Sequence, residues 1–284
     1  MAARVGVAPA AVRPLDDRDL LATLDLLGTD PVANVFVTSR VEAVGLDRRR
    51  LNAEMWGYFG DGGLTALCYA GGSVIPFGSS PAAVRGFADR ARRQGRRCSS
   101  IYGRSDAVDP LWRLLRPTWG PPRDVRPQPL MATTRPALVP GDPAVRRVLP
   151  AELDVVLPAC VAMFTEEVGV SPTTGDGGAL YRSRVAELIA AGRSFARIED
   201  GRVVFKAEIG AVSRAACQVQ GVWVDPALRG GGLGGAGMAT VVNAALAEVA
   251  SIVSLYVNDY NEPARRAYSR VGFTQVGTFT SILF

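Results

Sequence analysis

Seven consecutive residues, Arg229-Gly230-Gly231-Gly232-Leu233-Gly234-Gly235, have the types and spacing to hold an anion. They follow an apolar run, Val219 to Val224, closed by Asp225-Pro226, and precede a proline-free helical pattern from Met238 to Val249. The order is strand, turn, glycine loop, helix. Glycines let the backbone come close to a ligand. The free N–H groups of a first helical turn point at that ligand with the positive end of the helix dipole behind them. Such an arrangement is a seat for a pyrophosphate. The rest of the reactive inventory is narrow. The chain has no histidine, which removes histidine triads, histidine metal sites and a histidine general base. Acid–base chemistry then falls to Glu, Asp, Tyr or water. Cys68, Cys98, Cys160 and Cys217 lie far apart and form no C-x-x-C pair. They read as buried small apolar residues and not as a disulfide frame or zinc site.

Three phosphate-binding readings of the loop compete. A Walker loop needs Gly-Lys followed by Ser or Thr, and none is present. Gly230, Gly232 and Gly235 spell the dinucleotide G-x-G-x-x-G, but Asp225-Pro226-Ala227-Leu228-Arg229 separates strand from first glycine and only 49 residues follow Gly235. A dinucleotide unit runs its strand straight into the glycines and continues in βαβ repeats. The third reading is the acyl-CoA loop of the Gcn5-related N-acetyltransferases, Arg/Gln-x-x-Gly-x-Gly/Ala after a strand ending Val-x-Pro. Arg229 to Gly234 resembles it at every fixed position, and Trp223-Val224-Asp225-Pro226 supplies the strand end. A glycine-rich surface loop without a ligand is the plain alternative.

A second stretch resembles the same family. Ile252 to Val257 reads as a buried strand, and Asn258-Asp259-Tyr260-Asn261-Glu262-Pro263-Ala264-Arg265-Arg266-Ala267-Tyr268-Ser269-Arg270-Val271-Gly272-Phe273 follows it. The family pattern there is Asn-x-x-Ala, three residues, Tyr, then Gly-Phe. Asn261 would cap the helix and Gly272 would end it. The resemblance covers Val145 to Phe284 and is weak over the first half. The whole layout also resembles actinobacterial proteins in which an uncharacterised domain precedes the acetyltransferase domain.

The resemblance implies a mixed, mostly antiparallel sheet flanked by helices, an α+β fold with a V-shaped cleft between the strands Cys217 to Val224 and Ile252 to Val257. Pantetheine would pair with the backbone of Val222 and Val224. A backbone N–H near Val222 or Trp223 would polarise the thioester carbonyl, and Arg229, Gly230, Gly231, Gly232, Leu233, Gly234 and Gly235, with Asn261, would complete the acetyl-CoA site without a metal. An amine would attack directly, and Tyr268 stands at the family position of the acid that protonates the departing thiolate. A packed core tyrosine is the alternative. The base is open. Relatives often carry a Glu on the strand before Val-x-Pro, where this chain has Gln218 and Gln220. Glu208 on the preceding strand is a candidate, and so are Glu166 and Glu167 just past the first helix of this half. That loop walls the acceptor site in the family, so Glu167 would bind the substrate amine. A base acting through water stays open too.

The elements that must position these residues read as a repeat. In the first half, Val12 to Leu15 is a strand, Asp16 to Leu27 and Val32 to Val44 are helices, and Met55 to Phe59 and Leu64 to Ala70 form a hairpin around Gly60-Asp61-Gly62-Gly63. Ser73 to Phe77 is a strand, Pro81 to Gln94 a helix, Ser99 to Tyr102 a strand, and Pro110 to Leu115 a short helix ended by Pro117. In the second half, Val145 to Leu149 is a strand and Glu152 to Phe164 a helix kinked or shifted by Pro158. Leu180 to Ala191 is a helix, and Phe195 to Ile198 and Val203 to Ile209 are strands. This order predicts tandem domains, 1–140 and 144–284, joined by the proline-rich stretch from Arg116 to Pro143, with a strand near Pro129 to Thr133. The first copy has Gly78-Ser79-Ser80-Pro81 in place of the glycine loop and reads as degenerate.

Composition sets the outer bounds. The chain has 284 residues, 48% hydrophobic and 21% charged, which is a globular balance. No apolar run is long enough to span a bilayer, and the start, Met1 to Ala11, lacks the apolar core of a leader. These features predict a cytoplasmic protein. The net charge of +5 is carried by arginine, with Lys206 the single lysine. The arginine clusters Arg48-Arg49-Arg50, Arg92-Arg93 and Arg96-Arg97 are short and carry no interleaved aromatics, so they read as solvated helix faces and not as a nucleic-acid surface. The function expected is acetyl transfer from acetyl-CoA to an amine of a small molecule or protein. A non-catalytic acyl-CoA-binding module, or a transferase of a longer acyl or aminoacyl group, remains open beside it.

Overall fold

A computed structural model describes residues 11–60, 62–78, 80–174 and 177–284. The expectations for the first ten residues, and for Asp61 and Ser79 within their turns, lie outside the described residues. The chain divides into two compact units. One comprises residues up to Leu130 together with Gly277–Phe284, and the other comprises Met131–Val276.

In the first unit, β1 (Ala11–Pro14), β2 (Glu54–Gly60), β3 (Gly63–Ala70) and β4 (Ser73–Phe77) pair antiparallel in chain order. β4 then runs parallel to β5 (Ser100–Arg104), with only Ser73 and Val74 in register with Ser100 and Ile101. Side chains on a strand alternate between faces, and this sheet buries both. Met55, Leu67 and Ile75 pack under α1 (Leu20–Leu27), α2 (Val35–Val44) and α3 (Arg48–Leu51). Their neighbours Trp56, Cys68 and Val74 pack under α4 (Pro81–Gln94) and α5 (Ser105–Trp119). The first helix is started by Asp16, whose carboxylate accepts from Arg18 N at 3.0 Å while Asp19 accepts from Asp16 N at 3.2 Å, a reciprocal cap. β6 (Asp124–Thr133) leaves this unit at Leu130.

The second unit repeats the plan. β7 (Arg146–Arg147) is followed by α6 (Leu153–Val168), α7 (Ala179–Ala190), β8 (Ser194–Glu199), β9 (Arg202–Val212) and β10 (Ala216–Val224). Then come α8 (Leu233–Glu248), β11 (Ile252–Tyr256) and α9 (Glu262–Val271). β7, β8, β9 and β10 pair antiparallel, and β10 pairs parallel with β11. Phe205, Ala207 and Ile209 face a core shared with α8 and α9. Ala196 and Val203 face the opposite core, which includes Val156 and Cys160 of α6 and Val185 and Ile189 of α7. The final strand, β12 (Thr274–Leu283), ends in the first unit, where Phe279 to Leu283 pair antiparallel with Arg104 to Ser100 of β5.

Three expectations from sequence need correction. The helix placed at Pro110 to Leu115 runs from Ser105 to Trp119 with both Pro110 and Pro117 inside it. Each proline removes one donor, but Ala107, Val108, Leu111 and Leu115 bury a continuous face that holds the helix together. Pro158 likewise lies inside α6 without ending it, and α6 extends to Val168. Glu166 and Glu167 are therefore in its last turn and not past it. The strand expected from Val145 to Leu149 shrinks to Arg146–Arg147, because Val145 turns inward to the core and Leu149 starts the next helical turn. The four cysteines are free and buried, as their spacing suggested.

Candidate active site

The site is built where β10 and β11 part. Their parallel pairing covers Ala216 to Gln218 against Ile252 to Ser254 and stops there; Ser254 Oγ donates to Cys217 O at 2.9 Å at the last rung. Along its other edge β10 stays paired with β9, with Gln220 opposite Glu208 and Trp223 opposite Lys206. Gly221 and Val222 on β10 thus oppose the single residue Ala207 on β9, a bulge at Gly221, whose φ is +59°. A bulge adds a residue and re-aims the strand. Val222, Trp223 and Val224 follow it, all half-buried, and beyond Gln218 they lie outside the register with β11.

Asp225 then caps a single helical turn by accepting from Ala227 N at 3.0 Å, and the glycine loop begins. Gly230 and Gly232 hold φ of +86° and +85°, a region that favours glycine. Gly232 is the N-cap of α8 with no side chain to cap it, and Leu233, Gly234 and Gly235 form the first turn. The helix thus starts five residues earlier than its apolar pattern, because glycines carry no pattern. Gly235 N and Ala236 N both donate to Gly232 O at 3.1 Å. Among the described residues, the five amides from Gly230 to Gly234 donate to no protein acceptor. The corresponding helix of the first unit, α4, begins differently. Pro81 has no N–H, and Ala83 N donates to the Ser80 hydroxyl at 3.3 Å.

The last turn of α6 supplies two adjacent carboxylates to opposite sides of this parting. Glu166 takes both arms of the Arg229 guanidinium, at 2.7 and 2.8 Å, while Arg229 Nε donates to Val224 O at 3.1 Å. The guanidinium holds the Glu166 carboxyl below the usual carboxylate range, with a smaller contribution from Trp223. Glu167 accepts from Asn258 Nδ2 at 3.1 Å, and the same nitrogen lies 2.9 Å from the Tyr260 hydroxyl. Asn258 is buried and follows β11 after one residue, Val257. Tyr268 is 8% exposed, with its ring edge-on to Phe273 at 6.1 Å. Burial, reinforced by the Glu167 charge, raises the Tyr268 phenol well above its ordinary value. The phenol is therefore protonated throughout the neutral range. Asn261 caps α9 by accepting from Ala264 N at 3.2 Å, and Gly272 ends it at φ +116°.

Glu208 belongs to a separate cluster beneath the bulge. Lys206 and Glu208 sit two apart on β9, on the face toward α6, and form an ion pair with Lys206 fully buried and Glu208 6% exposed. Burial disfavours the ammonium, but Glu208 and Cys160 outweigh it and the Lys206 pKa rises. Cys160 Sγ contacts Glu208 at 3.7 Å, and the Tyr181 hydroxyl donates to Cys160 O at 2.9 Å. A Cβ added at Gly221 would lie 3.2 Å from both Glu208 Oε2 and Lys206 Nζ, so the pair lies directly under the bulge. The structure therefore brings Arg229, the loop amides, Glu166 and Glu167 to one parting of strands, and sets Glu208 in an ion pair beneath it. Sequence reasoning missed Asn258 and the partnership of Glu166 with Arg229. A signal existed for Lys206: a single lysine inside an apolar strand, two residues from a glutamate on the same face.

Residues 171–273 match the model of the acetyltransferase (GNAT) family. Residues 53–156 match a domain of unknown function, DUF4081. No curated protein matches the sequence. Solved structures resemble the whole chain. A Drosophila protein shares 14% identity over 97% of this chain and 99% of its own, with a TM-score of 0.65. A GCN5-related N-acetyltransferase from Sphaerobacter thermophilus shares 18% identity over 96% and 94%, with a TM-score of 0.61. A tandem GNAT protein from the clavulanic acid biosynthesis pathway shares 14% identity over 96% and 98%, with a TM-score of 0.54. At these identities the likeness is one of fold. The second half thus matches the GNAT-family model over residues 171–273, and the fold is like that of a tandem GNAT protein.

Proposed function

We propose that this chain is an acyl-CoA-dependent N-acetyltransferase, with acetyl-CoA held by the second unit alone. The observation that carries the reading is the row of five unpartnered amides from Gly230 to Gly234 at the uncapped start of α8. Unsatisfied donors at a helix N-terminus, with the dipole behind them, favour a pyrophosphate. The parting of β10 from β11 after Gln218 leaves a strand edge for the pantetheine arm to pair with at Val222 and Val224, as an added strand would. At the bulge, an N–H near Val222 or Trp223 would meet the thioester carbonyl and stabilise the oxyanion of the tetrahedral intermediate. The acceptor amine attacks that carbon, the C–S bond breaks, and the thiolate takes a proton.

Tyr268 suits the donor's part, because its raised pKa keeps the phenol protonated where a thiolate needs a proton. For the amine, Glu167 is the better placed carboxylate. It is exposed in the last turn of α6 and accepts from Asn258, whereas Glu208 is buried against Lys206. The Glu208 carboxylate is already engaged by the buried Lys206 ammonium. In this reading Glu208 and Lys206 fix the bulge from below, and the amine loses its proton to Glu167 directly or through water. The acceptor is a small-molecule or protein amine. The test is release of CoA thiol from acetyl-CoA in the presence of an amine panel, with the acetylated product identified by mass. Turnover with at least one amine is expected. Tight acetyl-CoA binding with no acetyl transfer to any amine would favour a binding module in place of an enzyme.

A further inference from the structure

α6 ends against its own dipole. Glu166 and Glu167 lie in its last turn, just before Gly169 closes the helix at φ +80°, and that turn holds no basic residue. Negative charge is disfavoured at a helix C-terminus, and local conflicts of this kind are expected at functional sites. The two carboxylates are met in different ways. Glu166 takes the charged guanidinium of Arg229, at 2.7 and 2.8 Å. Glu167 takes the neutral amide of Asn258, at 3.1 Å. A guanidinium offsets the charge of a carboxylate, whereas an amide directs the carboxylate and leaves its charge in place.

Asn258 is itself held from three sides. Its side chain is buried. A carboxylate only accepts, so the amide nitrogen must face Glu167 and the orientation of the amide is set. The same nitrogen donates to the Tyr260 hydroxyl oxygen at 2.9 Å, so turning the amide would break two hydrogen bonds. The backbone is fixed as well. Asn261 N donates to Asn258 O at 3.0 Å, and Asn261 is the N-cap of α9, the helix that carries Tyr268. One turn therefore sets both the direction of Glu167 and the start of the helix that bears Tyr268. The Glu167 charge helps to raise the Tyr268 pKa, so carboxylate and phenol lie close to one another. An exposed glutamate otherwise samples several rotamers, while a base must keep its lone pair within hydrogen-bond reach of the proton it takes.

We propose that Asn258 is a positioning residue for the transfer reaction, its amide holding the Glu167 carboxylate toward the acceptor amine. The proposal rests on the reading above in which Glu167 takes the proton of that amine. The experiment is a double-mutant cycle on the full chain, with acetyl-CoA and the amine that the parent acetylates best. Asn258→Ala should lower kcat about tenfold or more, the scale of a lost hydrogen bond to a charged group, with the calorimetric acetyl-CoA Kd unchanged. In a Glu167→Ala background the same substitution should change kcat by less than about twofold, because no carboxylate is left to aim. Asn258→Asp keeps the size of the side chain and serves if the smaller variant is unfolded. It replaces the donor by an acceptor that repels Glu167, and should lose kcat only while Glu167 is present. Equal losses in both backgrounds would make Asn258 a structural residue, and undiminished kcat in a folded Asn258 variant would show that Glu167 needs no aiming; either result overturns the proposal. Full kcat in Glu167→Ala, or a chain that acetylates no amine, would instead remove the reading beneath it, and the proposal with it.

Discussion

A single charge placed in the glycine loop separates what the fold needs from what the ligand needs. Gly231 is the position for it. Its φ is not in the left-handed region, and an added Cβ would meet only Leu228 O, at 3.6 Å, an ordinary contact. Gly231→Asp should therefore fold. A carboxylate one residue before the N-cap of α8 even interacts well with the helix dipole, by about 0.3–1 kcal/mol. A bound pyrophosphate would feel the same carboxylate as a repulsion. Two unit charges about 4 Å apart interact by about 1 kcal/mol in water and about 4 kcal/mol at a protein surface, and a pyrophosphate carries roughly two. The expected loss is then roughly 2–8 kcal/mol, which raises the acetyl-CoA Kd by a factor of about 30 at least. Gly231→Asn has the same shape without the charge and should lose much less. Calorimetry gives the affinities and thermal melting gives the stabilities. Added salt should restore part of the Gly231→Asp affinity, because an exposed charge is screened. A folded Gly231→Asp protein that binds acetyl-CoA as the parent does would refute the pyrophosphate seat.

Three further expectations follow from the site. Tyr268→Phe keeps the ring against Phe273 and removes only the proton donor, so kcat should fall on the order of 10²-fold with little change in acetyl-CoA affinity; full activity between about pH 6 and 9, the range where a thiol begins to titrate, would make Tyr268 a core residue. Lys206→Met should destabilise the protein by about 3–5 kcal/mol in urea unfolding, since it leaves the Glu208 carboxylate buried without its partner. Pairing it with Glu208→Gln should recover most of that loss, and a neutral single variant would contradict the ion pair. The Glu166 contact with Arg229 is half-exposed at both ends, so Glu166→Gln should cost no more than about 1 kcal/mol at neutral pH. Because the folded Glu166 pKa is lowered, that contribution is present above the ordinary carboxylate pKa and disappears as pH falls through the lowered value. Melting curves of parent and Glu166→Gln should converge in acid, and a gap that widens there would reverse the sign.

Much of this site was legible because glycine, proline and capping residues act locally. Asn261 and Gly272 bound α9 as their types require, and Asp225-Pro226 closes β10 where it must. The helices read from apolar periodicity were less secure at their ends. Pro110, Pro117 and Pro158 look like breaks, yet buried faces carry α5 and α6 through them. That same extension moved Glu166 and Glu167 from an expected loop into a helical turn, where they reach Arg229 and Asn258. Contacts between residues 63 and 91 positions apart leave no trace in local pattern. Nor does the pairing of β12 with β5, where Phe279 meets Arg104 and Leu283 meets Ser100. Glu208 was legible as a carboxylate near the site, but its tie to Lys206 depends on which strand face is buried, and both faces of β9 are.

The measurement closest to the central claim is the stoichiometry of acetyl-CoA on the intact chain. The first unit repeats the strand parting between β4 and β5, but its helix start is closed by Pro81 and the Ser80 cap. In the second unit five amides stand open. Calorimetric titration should therefore give one saturable site per chain, lost in Gly231→Asp. Two equivalent sites, or one that survives Gly231→Asp in a folded protein, would contradict the account.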